Sequence, residues 1–332
     1  MNPALLVKLR PSGPWRIGPA SGARDQVDLL YHSDSLFSAV THAMGYLGFL
    51  DAWLNATARR PEGAAVRFSS CFPFMGAMQF IVPPRTIWPP APSAKVRWKG
   101  ARFVPVSVVQ DLLSGHPVNE ERWSVDGESE CLVPSGRTGP FRSSLRSSAA
   151  VDRMTGNACP HSTACLEFMP DSGLWCALSF ADETAQAEWD KPVRAALRWL
   201  ADSGFGGKRS GGWGRSEAPE FLEGTLPDLI IPSAAPVEGA YWLLSLFSPS
   251  PSDSVDWQRG NYGVTRRGGR IESTVASGAA KKLVDMIEEG SVLVAAGAPS
   301  GNAPNVAPDG FAHPVYRAGF ALSIPIPTGA QS

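Results

Sequence analysis

The sequence predicts an α+β fold: a first unit running strand, helix, strand, strand, helix, strand around one long irregular insertion, then a smaller, mostly β unit. Three observations carry that expectation. Apolar residues recur at helical spacing in two well-marked stretches, 36–47 and 193–200, and alternate with other residues in short runs elsewhere. Glycine (33) and proline (30) are abundant, which favours loops and short strands over long helical bundles. With 332 residues, the chain is long enough for two sizeable cores.

In chain order, Ala4–Leu9 reads as a strand. Leu36, Phe37, Val40, Ala43, Met44 and Leu47 then form one helical face, with Ser33 or Asp34 as its N-cap, since either side chain can accept an orphan backbone N–H. A strand is expected near Val66–Phe72. The insertion, about 80–150, is broken by Pro83-Pro84, Pro89-Pro90 and Pro92, and is expected to leave the core. Leu166 and Phe168, the turn Pro170-Asp171-Ser172-Gly173, and Leu174, Cys176, Leu178 and Phe180 predict a hairpin. Val193, Ala196, Leu197 and Leu200 make the second helix, with Gly204 as its stop; Pro192 fits its first turn or lies within a longer helix starting near Thr184. A strand is expected over Arg215–Leu222.

That order is the ferredoxin-like (RRM-like) βαββαβ unit. The predicted domains are therefore 1–222 and 240–332, joined by a linker over 223–239 with Pro227, Pro232 and Pro236. The second is expected to be a degenerate ferredoxin-like copy. A strand at Tyr241–Phe247 opens it, a short helix spans Lys281–Glu288, and one strand carries Tyr316, Ala318, Phe320, Leu322 and Ile324.

The formal net charge of −1 gives no global field for a nucleic acid, so local distribution matters more. Lys95, Arg97, Lys99 and Arg102 lie in a stretch without acids, as do Arg259, Arg266, Arg267 and Arg270. Arg137, Arg142, Arg146 and Arg153 face a single acid, Asp152. Such patches suit a defined anionic track. Five cysteines at irregular spacing do not make a secreted disulfide framework, and no apolar run reaches membrane-spanning length; a cytoplasmic location is expected.

The strongest motif is Gly204-Phe205-Gly206-Gly207-Lys208-Arg209-Ser210-Gly211-Gly212-Trp213-Gly214-Arg215. Its glycines let backbone N–H groups approach an anion, Lys208 and Arg209 add charge, and Trp213 offers a stacking face. A mononucleotide P-loop is excluded because Arg209 follows Gly207-Lys208 and the loop ends a helix instead of opening one; the dinucleotide fingerprint fails on the same topology. Polynucleotide backbone binding survives beside a plain connector.

The segment Gly206–Gly214 resembles the glycine-rich loop of the RAMP superfamily of CRISPR proteins. Four further segments are similar to the fourth, Cas5-like subunit of the type III-A Csm complex: His32-Ser33-Asp34-Ser35-Leu36-Phe37-Ser38-Ala39, Asp152-Arg153-Met154-Thr155-Gly156, Lys281-Lys282 through Glu289-Gly290-Ser291-Val292, and His313-Pro314-Val315-Tyr316-Arg317. The resemblance implies a non-catalytic subunit that binds the 5′ repeat-derived tag of crRNA and joins a large polymerase/cyclase-like subunit to a backbone RAMP subunit. Target RNA is met only indirectly, and neither a cofactor nor a membrane is implied. The insertion would be a thumb-like projection.

On this reading the RNA-binding residues are His32, Ser33, Asp34, Arg137, Arg142, Arg146, Arg153, Gly206, Gly207, Lys208, Arg209, Ser210, Gly211, Gly212 and Trp213. Ser33 and Asp34 sit at a helix N-terminus, where a phosphate or a ribose hydroxyl can dock. Two other classes compete: a metal-independent endoribonuclease using His32 on precursor crRNA, and a protein-only assembly scaffold. Cys159, His161 and Cys165 are candidate zinc ligands, although their spacing is not that of a standard knuckle.

Overall fold

A computed structural model describes residues 2–19, 21–90, 96–231, 239–272 and 278–327. Lys95, Pro92, Pro232 and Pro236 lie outside the described residues.

A mixed α/β architecture results, in which strands outnumber helices. The N-terminal sheet contains β1 (Pro3–Leu9), β2 (Val66–Phe68), β3 (Phe72–Met75), β4 (Met78–Ile81) and β5 (Val104–Pro105). Two small ribbons follow: β6 (Trp123–Asp126) with β7 (Cys131–Pro134), and β8 (Phe141–Val151) with β9 (Ala158–Phe168). The sheet is completed by β10 (Ser172–Phe180) and β11 (Glu220–Thr225). Its order is β11-β1-β10-β3-β4-β5, with β2 also on β10, and its pairs are antiparallel. Val7 faces Cys176 across the central pair.

Four helices are described: α1 (Ser33–Tyr46), α2 (Leu50–Ala56), α3 (Val106–Leu113) and α4 (Glu183–Ser203). Helix α4 is the longer of the two forms the sequence allowed, with Pro192 inside it, and the Asp182 carboxylate accepts from Ala185 N–H at 2.7 Å as its cap. The α1 cap differs from expectation. His32 holds the cap position without a side-chain bond, and Ser70 Oγ instead accepts the Ser33 N–H at 2.8 Å.

All nine residues of β10 are buried. Sequence alternation predicted one apolar face, but Trp175, on the other face, packs on Phe72 and donates Nε1 to the Phe80 carbonyl at 2.8 Å. That second face is covered by the start of the segment read as an excursion. Residues 78–134 are core-forming: Phe80, Ile81, Trp98, Phe103, Val109 and Leu132 are all buried in the main hydrophobic cluster. What projects is the β8–β9 ribbon, eleven residues a side, exposed beyond its base. The expected hairpin of 164–180 is corrected accordingly, since β9 pairs with β8 while β10 pairs with β1, β2 and β3.

The C-terminal strands are β12 (Ala240–Leu243), β13 (Val255–Asn261), β14 (Val264–Arg267), β15 (Val284–Ile287), β16 (Val292–Ala295), β17 (Gly301–Asn302), β18 (Gly319–Phe320) and β19 (Ser323–Pro325). Four of them form a sheet in the order β13-β16-β12-β19. Two expectations fail here. The helix over Lys281–Glu288 is the strand β15 paired with β14, its β-branched Val284 and Ile287 suiting a pleated surface. The long strand through Ile324 is split into β18 on β17 and β19 on β12. The predicted strand over Arg215–Leu222 is shifted to Glu220–Thr225.

Candidate nucleic-acid interface

The glycine-rich loop leaves the end of α4 and is held at both ends. Phe205 is buried edge-on between Trp15 (centroids 4.6 Å apart) and Tyr31 (5.2 Å). Phe205 N–H donates to Gly214 O at 3.2 Å, and Gly214 N–H to Pro14 O at 3.0 Å, so the loop closes on itself and on the segment after β1. Trp15 Nε1 donates to Arg215 O at 3.0 Å. Two glycines are required by contact as well as by dihedral. A Cβ at Gly206 (φ +86) would sit 2.7 Å from Arg16 O, and one at Gly214 (φ +79) 2.1 Å from Phe205 O. A plain flexible connector needs none of this.

At the tip, Lys208 adopts a left-handed backbone (φ 62) and leads into a single 3-10 turn, Arg209–Gly211. Lys208 is exposed and makes no ion pair among the described residues. Ser210 and Gly211 are exposed; Gly207 and Gly212 are half-buried. Arg209 is half-buried and pairs with Glu272, which ties the tip to the C-terminal unit. Trp213 is half-buried, with no ring partner among the described residues.

Arg16, which sequence reasoning overlooked, holds the platform under the loop. It is buried, and its guanidinium donates to four carbonyls: Ala23 (2.7 Å), Ala164 (2.8 Å), Arg24 (3.0 Å) and Gln26 (3.2 Å). Its own carbonyl accepts Gly207 N–H at 2.8 Å. One residue thus links the loop, the 16–28 segment and the ribbon base. A lone arginine in a proline- and glycine-rich stretch gives no sequence signal of that role.

His32, Ser33 and Asp34 are placed differently from the surface contacts expected of them. All three are buried, in a joint where the start of α1 meets the C-terminal part of the chain. His32 Nδ1 lies 2.9 Å from Glu289 Oε1 and Nε2 lies 3.3 Å from Asp28 Oδ2. Ser33 Oγ accepts Leu246 N–H at 3.0 Å. The Asp34 carboxylate takes a fork from Arg267 (2.9 and 3.1 Å) and a further bond from Arg317. Ser70 Oγ donates to Glu289 as well as capping α1. The helix N-terminus is therefore filled by protein, and the acid that would repel a phosphate is neutralised by two arginines.

Electrostatics follow from this packing. Burial works against a charged His32, but Glu289 and Asp28 outweigh it and raise the imidazole to about 9. Burial likewise opposes the Asp34 carboxylate, yet Arg267 and Arg317 hold it well below the usual carboxylate range. Glu289 is also depressed, against burial, by His32 and Ser70. Lys281, half-buried beside them, is lowered by burial and by the nearby arginines.

The remaining basic candidates lie on the ribbon or near it. Arg142 and Arg146 both pair with Glu167 across the strands. Arg137 and Arg153 are exposed and make no ion pair among the described residues. Asp152 does not pair with Arg153; it closes the tip turn by accepting Met154 N–H at 2.9 Å and the Thr155 hydroxyl at 2.6 Å. Cys159, His161 and Cys165 lie along one extended strand, which separates the outer two by about 20 Å and prevents them from converging on a metal. Among the described residues no cluster of three His, Cys, Asp or Glu is disposed to hold one. No helix among them is long and apolar enough to cross a membrane.

Residues 238–326 match the family described as the CRISPR Csm4 C-terminal domain. A sequence search against curated proteins returns no significant match. The fold is similar, almost end to end, to a chain of the Csm3–Csm4 subcomplex of a type III-A CRISPR-Cas interference complex (TM-score 0.65, 15% identity, 97% of this chain and 99% of that one). It is also similar to chains of a Csm1–Csm4 cassette solved with cA4 (TM-score 0.58, 18% identity, 98% of each chain) and with pppApA (TM-score 0.58, 17% identity, 98% of each).

Proposed function

We propose that this chain, a Csm4-type subunit by its matched C-terminal domain and its end-to-end fold, is the non-catalytic RNA-anchoring piece of a type III-A CRISPR effector. In this reading it grips the 5′ repeat-derived tag of crRNA and joins a Csm1-like large subunit to a Csm3-like backbone subunit. The relatives named for Csm1–Csm4 and Csm3–Csm4 assemblies support the two protein partners. The observation that carries the RNA role is the loop itself. Buried anchoring at Phe205, two glycines that admit no Cβ, and an exposed Lys208 with no ion pair among the described residues make a rigid, cationic, amide-rich surface.

The strand order β11-β1-β10-β3, with α1 and α4 between strands in sequence, supports reading the N-terminal part as a ferredoxin-like unit, its last strand running to Thr225, three residues beyond the expected boundary at 222. We read 240–332 as its degenerate partner, with no α-helix among its described residues. The β8–β9 ribbon takes the part of the thumb, reaching toward the backbone subunit, with Arg137 and Arg153 free to meet phosphate. Gly206, Gly207, Lys208, Arg209, Ser210, Gly211, Gly212 and Trp213 form the grip. His32, Ser33 and Asp34 set its position through the joint.

An endoribonuclease reading would need His32 free to exchange a proton with RNA, whereas its two nitrogens are engaged by carboxylates in a buried site. The deciding experiment is photocrosslinking of crRNA within the assembled complex. Crosslinks within 204–215, lost in Lys208→Ala/Arg209→Ala, are expected; their absence there, with RNA retention unchanged, rejects the grip. Repeat-RNA cleavage that disappears in His32→Ala would reject the non-catalytic role.

A further inference from the structure

Strand β13 leaves its ladder. Asp256 faces Val294 of β16 and Asn261 faces Val292, so five steps along β13 are matched by two along its neighbour. The surplus of three falls within Trp257–Gly260, an irregularity of the kind that re-aims side chains. Here Trp257, 37% exposed, and Tyr262, 38% exposed, pack edge to face with centroids 5.3 Å apart and planes at 75°. Arg259, between them in sequence, is exposed and makes no ion pair among the described residues. At Gly260 a Cβ would stand 3.3 Å from both Tyr262 Cδ1 and Val292 O, so the chain passes closely between Tyr262 and β16.

We infer that Trp257, Tyr262 and Arg259 form a second RNA contact, a stacking platform for an unpaired nucleobase with a cation placed for its phosphate. An exposed indole–phenol pair offers aromatic surface to a base, and stacking with an arginine close in sequence is the chemistry of sequence-tolerant single-strand binding. A protein partner is the weaker fit, because the side chains between the rings, Gln258, Arg259 and Asn261, are polar, with aliphatic Val264 and acidic Asp256 lying outside that run. From Tyr262 the chain runs along β14 to Arg267 in the joint, roughly 17 Å of extended backbone. The inference rests on the RNA-anchoring reading and adds to it a stacking surface apart from Trp213 of the loop.

The test uses the full chain and a fluorescein-labelled, unstructured single-stranded RNA at low ionic strength, read by anisotropy and by mapping ultraviolet crosslinks. Trp257→Ala is expected to weaken binding about tenfold or more, Trp257→Phe to retain most of it, and Arg259→Ala to weaken it and flatten the salt dependence. Crosslinks are expected in 255–267. Because these side chains are exposed, thermal unfolding of the variants should match the parent chain, which separates contact from misfolding. Trp257→Ala binding like the parent, while Lys208→Ala/Arg209→Ala weakens binding, rejects the platform and spares the loop. The reverse pattern keeps the platform and rejects the loop. No measurable RNA binding by the full chain, or loss of a protein partner with RNA binding intact, overturns the inference.

Discussion

The glycine-rich loop and the His32–Asp34 joint start from similar ingredients, charged residues beside a helix terminus, and reach opposite ends. At the loop, the buried components are Phe205, Trp15, Tyr31 and glycine backbone, with Arg16 beneath them bonded to carbonyls and not to an acid, and Lys208 is left in water. At the joint the charges themselves are buried and cancel one another, His32 against Glu289 and Asp28, Asp34 against Arg267 and Arg317. A charge that must meet a polyanion has to remain unpaired and accessible; a charge that must align two units has to be desolvated and matched. Burial, not residue type, separates the two roles.

Breaking the joint should have the largest effect. Asp34→Ala leaves two arginines facing one another in a largely buried site and should cost about 3–5 kcal/mol in chemical denaturation. A change under 1 kcal/mol would mean the joint does not hold the units. Next comes pH. His32 is raised above its unfolded value, so its contribution is complete below about pH 6.5 and is lost as pH rises through about 9, a fall of about 3 kcal/mol at most. The depressed Asp34 and Glu289 act in the opposite sense, contributing above the usual carboxylate range and losing that contribution as pH falls through their lowered values. Stability measured against pH should therefore peak between about 4.5 and 6.5, and the alkaline slope should vanish in His32→Gln.

Within the loop, Gly214→Ala should cost about 1–3 kcal/mol for its left-handed backbone alone, more with the clash at Phe205 O, and should weaken RNA retention. Retention like the parent's would show that the loop's shape is not what RNA meets. The smallest effect on stability belongs to Lys208→Ala, within about 0.5 kcal/mol, alongside a shallower dependence of RNA affinity on salt. That pairing of no stability change with a binding change is the signature distinguishing loop from joint.

Local pattern made the N-terminal helices and the central strands legible. Apolar spacing located α1 and α4, and turn chemistry located the start of β10. The loop was legible as well, because glycine density around Lys208-Arg209 after a helix has few other uses. What sequence concealed is long-range pairing. Asp34 meets Arg317 across 283 positions and His32 meets Glu289 across 257. Nothing near His32 marks it as buried, and Arg267 reads as one more member of a solvated basic run. The segment 78–134 misled for another reason: its prolines interrupt periodicity, while Phe80, Trp98 and Phe103 are buried by tertiary contact from irregular backbone. Lys281–Glu288 illustrates tertiary override directly, its helix-like composition drawn into a strand by β14.

The β8–β9 ribbon has one further consequence. Its inner part is tied down at Trp15 and Arg24, but from about residue 145 to 161 neither edge has a strand beside it among the described residues. Two open rows of amide and carbonyl groups, carrying the exposed Leu145 and Val151, are a template for strand addition. A chain that leaves those edges bare thus carries its own aggregation hazard, which a strand laid along either edge would remove.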